Sequence, residues 1–125
     1  MHLIDAGLPQ RYPKLKIVNS HLGGMIRMVL QRLDNISSWE HPLPEKPSIT
    51  AKRMRYDSVG HGYPPALRAA VDSLGADRIV LGSDYPYEGG ELFNRAIVYI
   101  REAGLKPEVV EKILDRNAAA VLGLA

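Results

Sequence analysis

The chain has 125 residues, of which 46% are hydrophobic and 24% are charged, a composition typical of a globular domain rather than a disordered or fibrous chain. Its formal net charge of +2 is too small to indicate nucleic-acid binding, and the absence of cysteine excludes disulfides and thiolate metal sites. No apolar run approaches the roughly 20 residues of a membrane span and no signal peptide is visible, so we expect a soluble, cytoplasmic domain.

The first half of the chain predicts two strand–helix units. Lys14–Ser20 (KLKIVNS) has a β-branched centre and follows a proline, which favours a strand. The next apolar side chains have the spacing of an amphipathic helix: Ile26, Val29, Leu30 and Leu33. Met54–Val59 is a weaker strand candidate, and Pro64–Leu74 is predicted to be a helix that Gly75 terminates.

The second half predicts a third unit and a final helix. Arg78–Gly82 (RIVLG) is a short apolar run of the kind found in buried parallel strands. The segment Glu91–Ala103 carries apolar residues at helical spacing, namely Phe93, Ile97 and Ile100. Pro107 opens a last helix with Val110, Ile113 and Leu114. Three such units in series indicate a parallel α/β arrangement.

One stretch is irregular in pattern. Ser37–Thr50 contains three prolines and is predicted to be an ordered excursion or a flexible loop. Trp39 within it could anchor the loop on the body, cover a site or join a subunit contact, and packing is the favoured role.

Polar residues follow each predicted strand, where parallel α/β folds place functional groups. His21 follows the first strand, His61 comes shortly after the second, and Asp84 follows the third. Imidazole and carboxylate suit zinc or another borderline divalent ion, and histidine transfers protons near neutral pH. His2 and His41 have no strand context and are interpreted as incidental.

Each candidate also has an interpretation without chemistry. His21 lies beside glycines and could be structural, Asp84 could cap a turn, and His61 could be a solvated loop residue. The joint placement of His21 and Asp84 is what favours a functional site.

Three motifs resemble those of one family. They are RYPKLKIVNSHLGG (Arg11–Gly24), ALRAAVDSLGADRIVLGSDYPY (Ala66–Tyr87) and KILDRNAAAVLGL (Lys112–Leu124). In this order they resemble the amidohydrolase-related family that includes the aminocarboxymuconate-semialdehyde decarboxylases. The resemblance implies a metal-dependent (β/α)8 TIM barrel, of which residues 1–125 would be the C-terminal portion, about strands six to eight.

The resemblance also implies roles for individual residues. Asp84 matches the family's eighth-strand metal ligand, and His21 matches the sixth-strand histidine that donates a proton or polarises a metal-bound water. His61 matches a position near the seventh strand with a substrate-side role. Arg32 matches an arginine that reaches the substrate carboxylate, in some relatives from a neighbouring subunit, or else is a solvated helix charge. Asn117 is interpreted as packing or capping the last helix.

The family's first-strand pair, H-x-H or E-x-H, is absent from this sequence. The resemblance also implies a histidine ligand from the fifth strand, which this sequence does not include, so three of the four expected protein ligands are missing. A complete barrel typically needs about 250 residues. We therefore expect a C-terminal part of a longer, homo-oligomeric enzyme that uses a divalent metal, with zinc favoured and manganese possible. The isolated chain is expected to be metal-free and inactive.

Three functions remain open at this point. The longer enzyme could decarboxylate a small unsaturated or aromatic carboxylic acid without oxidation, which Arg32 and the His21–Gly24 run favour. It could instead hydrolyse a C–O or C–N bond. The third possibility is that the chain is inert by itself and acts only as an assembly partner.

Overall fold

The computed structural model describes residues 1–39 and 43–124, with Trp39 described by its backbone only. His41, interpreted as incidental, and the side chain of Trp39, for which the sequence favoured packing, therefore lie outside the described part. The helices are α1 (His2–Asp5), α2 (Leu8–Arg11), α3 (Ile26–Trp39), α4 (Pro47–Ala51), α5 (Pro64–Leu74), α6 (Glu91–Arg101), α7 (Pro107–Glu111) and α8 (Asn117–Leu122). The strands are β1 (Val18–Asn19), β2 (Arg55–Asp57) and β3 (Ile79–Val80), and α7 continues into α8 through a π-helical turn at Lys112–Arg116.

The three strands form one parallel sheet in the order β1-β2-β3. Each strand is paired with its successor along the chain, so the order never reverses as it does in doubly wound sheets. Sequential parallel pairing with helical crossovers is the arrangement of an arc of a (β/α) barrel, which agrees with the expected fold. The paired segments are shorter than predicted, although the adjoining residues still bond across the sheet: the Arg55 N–H donates to the Ile17 carbonyl and the Ser58 N–H to the Val80 carbonyl, both at 2.8 Å.

The helix predictions are confirmed except in the Pro-rich stretch. The helix predicted over Pro64–Leu74 has these bounds, and Gly75 follows it at a φ of 102°. Within Ser37–Thr50, α3 extends to Trp39 and α4 begins at Pro47, so the expected loop is shorter than the sequence indicated. Proline suits the first turn of a helix because its missing N–H has no partner there anyway, and this explains how a Pro-rich stretch can start α4.

The core lies between the sheet and the helices. Its fully buried side chains include Tyr56 on β2, Ile79 on β3, and Leu67 and Leu74 on α5. On α6 the buried face consists of Ala96, Tyr99 and Ile100. The helical spacing of Phe93 therefore does not place it in the core: it is 44% exposed and contacts Tyr85 edge-on.

Asn117 joins the last helix to the sheet. Its side-chain amide donates hydrogen bonds to the carbonyls of Ala76, at 2.8 Å, and Ile79, at 2.7 Å. The packing role inferred from the sequence is confirmed. No helix in the described part of the chain is long and apolar enough to cross a bilayer.

Candidate metal and catalytic centre

The three polar residues predicted at the strand ends meet in space. His21, His61 and Asp84 each offer a ligand atom, and these atoms lie within 4.8 Å of one another. Each residue stands in the loop after a different strand, so their convergence follows from the parallel alignment of β1, β2 and β3. The two imidazole rings are parallel, with their centroids 6.1 Å apart.

The backbone is in the left-handed region at all three of these residues. The φ angles are 54° at His21, 48° at His61 and 61° at Asp84. L-residues rarely adopt this region, which costs roughly 1–2 kcal/mol per residue. Non-glycine residues in such conformations cluster at active sites and ligand clamps. Among the described residues a fourth, the buried Leu22, shares this conformation with a φ of 55°, and the other three form the polar group.

Asp57, the last residue of β2, holds the His21 loop. Its Oδ1 accepts hydrogen bonds from the backbone N–H groups of His21, at 2.7 Å, and Val59, at 3.1 Å. One carboxylate oxygen thus ties the loop after β1 to the loop after β2. Gly82, after β3, makes this possible because a Cβ there would lie 2.7 Å from the Asp57 Cβ.

The imidazole of His61 contacts a buried carboxylate. Its Nδ1 lies 2.7 Å from Oε1 of Glu88, and the guanidinium of Arg95 donates to the same oxygen at 3.1 Å. Glu88 is only 8% exposed, whereas His61 is exposed. The contact with Glu88 uses Nδ1 and leaves the other ring nitrogen of His61, Nε2, free.

Buried groups also anchor the segment between β2 and His61. Ser58 is fully buried, its Oγ accepts from the Gly82 N–H at 3.1 Å, and its carbonyl accepts from the Tyr99 hydroxyl. Burial raises the pKa of Tyr99 to about 12, so the phenol stays protonated and can donate at physiological pH.

A cleft of about 280 Å³ opens beside His21. It lies between the N-terminal segment and the first two strands. Its lining includes Met1, Ile4, Asn19, His21, Met54 and Tyr56. His61 and Asp84 are not among its described lining residues, so of the three polar residues His21 alone lines this cleft.

The structure brings three of the four predicted site residues together. The fourth, Arg32, is an exposed residue in the middle of α3. Sequence reasoning also missed Asp57, Glu88 and Arg95. The strand-end rule could have found Asp57, but no local pattern places Glu88 and Arg95 beside His61.

The donor set fits a divalent metal ion. Two imidazoles and a carboxylate are ligands that zinc and manganese accept, and the chain places them at the functional end of a parallel sheet. The three residues can therefore contribute ligands to a bound ion.

Comparison with known protein families identifies the chain. The amidohydrolase family model matches residues 1–124. The 2-amino-3-carboxymuconate-6-semialdehyde decarboxylase of Dictyostelium discoideum is 30% identical over 128 aligned positions, which cover 98% of this chain and 35% of that protein.

Solved structures match equally well. The 5-carboxyvanillate decarboxylase of Sphingomonas paucimobilis has a TM-score of 0.81 and 32% identity, covering 95% of this chain and 37% of that one. A dihydroxybenzoic acid decarboxylase of Polaromonas, solved with manganese and the inhibitor 2-nitroresorcinol, has a TM-score of 0.83 and 25% identity, covering 98% of this chain and 38% of that one.

The chain spans between 29% and 39% of the length of the curated relatives that it matches. It corresponds to part of these longer proteins, and its three-stranded sheet to part of their barrel. Because the family model matches residues 1–124, nearly the whole of this chain, the chain belongs to the amidohydrolase family.

Proposed function

We propose that this chain supplies the His21, His61 and Asp84 portion of the active site of a non-oxidative decarboxylase that uses a divalent metal. The observation that carries the proposal is the convergence of these three side chains within 4.8 Å at the carboxyl ends of parallel strands. Similarity to decarboxylases of aromatic and unsaturated acids supports the reaction type and a small carboxylic acid as substrate.

Each residue has a separate task in this proposal. Asp84 is a metal ligand, and a bound ion would polarise the substrate carboxylate or a water molecule. His21 donates a proton to the substrate carbon that carried the carboxyl group. The bond between that carbon and the carboxyl carbon breaks, and carbon dioxide leaves. His61, whose ring is parallel to that of His21, faces the substrate.

Arg32 is proposed to bind the substrate carboxylate of a neighbouring subunit. The guanidinium fork matches a carboxylate through two parallel hydrogen bonds. The exposed position of Arg32 on α3 supports a contact across a subunit boundary. The proposal therefore includes a homo-oligomeric enzyme.

Zinc is the proposed metal, because imidazole and carboxylate ligands suit it well. Manganese is the alternative, since the Polaromonas decarboxylase was solved with that ion. Reconstituting the metal-free enzyme with each ion, and comparing turnover at saturating metal, distinguishes the two.

The test is an assay of the longer enzyme that contains this chain. Dihydroxybenzoate and 5-carboxyvanillate are offered, and carbon dioxide release is measured beside the hydrolysis of lactones and amides. We expect carbon dioxide release that falls at least 100-fold in His21→Asn and Asp84→Asn, because a proton donor and a ligand are lost. The matched control Asp72→Asn, an exposed residue of α5, should retain activity.

Hydrolysis without carbon dioxide release would replace this proposal with the second candidate, a hydrolase acting on C–O or C–N bonds. The family as a whole is described as amidohydrolase, which is the observation in favour of that candidate. Absence of both activities would leave an assembly role for the chain.

A further inference from the structure

A buried carboxylate behind His61 belongs to neither the predicted site nor the motifs. Glu88 is 8% exposed, and its Oε1 lies 2.7 Å from His61 Nδ1 and 3.1 Å from Arg95 Nη2. One oxygen therefore serves two groups, the imidazole after β2 and a guanidinium on α6. Burying a carboxylate is costly unless its partners satisfy it, so the arrangement is specific.

Helix α6 fixes the loop that carries His61 from two points on one face. A Cβ at Gly62, next to His61, would lie 3.0 Å from Cδ of Arg95. One turn further along α6, Tyr99 donates a hydrogen bond to the carbonyl of Ser58, on the other side of His61. The loop is thus held on both sides of the imidazole by residues four positions apart.

The contact with Glu88 decides which ring nitrogen of His61 carries the proton. A carboxylate can only accept a hydrogen bond, and neutral imidazole has one N–H and one nitrogen lone pair. With Nδ1–H bonded to Glu88, the lone pair is on Nε2, the nitrogen that this contact leaves free.

We propose that Glu88 is a positioning residue: it holds neutral His61 in the Nδ1–H tautomer, while Arg95 holds Glu88. The functional consequence rests on the proposed function, because it supplies an Nε2 lone pair to the same site. The competing explanation is that Glu88 and Arg95 form a structural ion pair and that His61 merely lies nearby. The two explanations differ in the tautomer of His61.

Nitrogen-15 NMR of the histidine side chains measures the tautomer directly and needs neither metal nor substrate. The 125-residue chain is labelled and observed at a pH where imidazole is neutral, in solution or as a sedimented sample. The His61 signals are assigned among the four histidines by their loss in His61→Gln. We expect a protonated Nδ1 and an unprotonated Nε2 in the unsubstituted chain, and the opposite pattern or an even mixture would overturn the proposal.

Three variants complete the test. Glu88→Ala should lose the preference for Nδ1–H because the acceptor is gone. Glu88→Gln should retain it, since Arg95 donates to the carbonyl oxygen and orients it toward both partners. Glu91→Ala, an exposed glutamate three residues away, should behave as the unsubstituted chain.

An unchanged tautomer in folded Glu88→Ala would contradict the proposal, as would its loss in Glu91→Ala. If Glu88→Ala fails to fold, the unsubstituted chain and Glu88→Gln still decide the outcome. The readout is independent of catalysis, so an enzyme without decarboxylase activity would overturn the proposed function and leave the tautomer result standing.

Discussion

At the scale of single residues, backbone strain and polar chemistry coincide. His21, His61 and Asp84 all have positive φ angles, although an L side chain is disfavoured there. Hydrogen bonds from neighbouring elements, such as those that Asp57 accepts, hold the loops in these conformations. The molecule thus keeps three strained residues where glycine would be more stable, as expected if their side chains are needed for function.

We predict that His21→Gly is more stable than His21→Ala by about 1 kcal/mol, because only alanine retains a Cβ at positive φ. Both variants lose the imidazole, so the difference between their free energies of unfolding reports the cost of a Cβ in the left-handed conformation. Urea unfolding followed by circular dichroism measures it. Equal stability of the two variants would show that the left-handed conformation at this position costs nothing.

At the scale of elements, side-chain hydrogen bonds connect helices to the sheet and to each other. Asn117 ties the last helix to the start of β3. Glu45 joins α2 to α4. Its carboxylate accepts hydrogen bonds from Gln10, from Thr50 and from Nε and Nη2 of Arg53. The contacts of Gln10 and Asn117 join residues more than 30 positions apart in sequence. They stabilise short helices that would be only marginally stable in isolation.

Replacing Asn117 with alanine should destabilise the chain by about 1–3 kcal/mol, because the carbonyls of Ala76 and Ile79 lose their shared donor in a buried site. Asn94→Ala, on the exposed surface of α6, is the control and should change stability by less than about 0.5 kcal/mol. Chemical denaturation of the two variants side by side provides the comparison. A cost for Asn117→Ala no larger than that of the control would contradict the anchoring role.

The stability that Glu45 provides should depend on pH. The Arg53 guanidinium, with smaller contributions from Thr50 and Gln10, holds the pKa of Glu45 below its ordinary value of 4.5. A carboxyl whose pKa is lowered by folding stabilises the fold above its unfolded pKa, and this contribution disappears as the pH falls through the folded pKa.

Glu45→Gln is therefore expected to cost about 1 kcal/mol at pH 7 and little at pH 3. Glu102→Gln, at an exposed position, should show no comparable pH-dependent cost. Unfolding free energies of the three chains between pH 3 and 7 test this. A penalty for Glu45→Gln that is the same at both ends of the range would refute the electrostatic explanation.

At the scale of the whole molecule, the described sheet is open. Both β1 and β3 are paired on one side only, and apolar residues such as Val18, Met25 and Met28 are exposed near β1 and α3. Unpaired strand edges and exposed apolar side chains promote association. The chain spans between 29% and 39% of the length of its curated relatives, and we expect the remaining segments to cover these surfaces in the longer enzyme.

We expect the isolated chain to self-associate, which light scattering after size-exclusion chromatography would detect as a mass above that of one chain. Val18→Lys should reduce the association, because a charged residue on an edge strand opposes strand pairing. Asn94→Lys adds the same single positive charge on the exposed surface of α6 and controls for net charge. A strictly monomeric unsubstituted chain at tens of micromolar would disprove this expectation.

The isolated chain should also purify with far less than one metal ion per molecule. The proposed function assigns only Asp84 to the metal, and protein metal sites generally use three or four ligands. Elemental analysis after dialysis gives the metal content. One tightly retained zinc or manganese, lost in Asp84→Ala and kept in Asp72→Ala, would mean that the chain forms a complete site by itself.

Much of the fold could be predicted because it depends on local patterns. Apolar spacing in Pro64–Leu74 and the β-branched, glycine-bounded runs around Ile17 and Ile79 identify helices and strands from neighbouring residues alone. The strand-end rule then selected His21, His61 and Asp84, since parallel strands present their carboxyl ends to one side. The sequence by itself thus determined the class of fold, the family motifs and the principal polar residues.

The tertiary structure alone decided which further groups act on those residues. Glu88 reaches His61, and Arg95 reaches Glu88, because α6 packs across the loop after β2. Phe93 has core-like spacing yet is exposed, as the burial of α6 is set by its neighbours. These outcomes depend on how elements far apart in the chain pack, and local spacing carries no information about that packing.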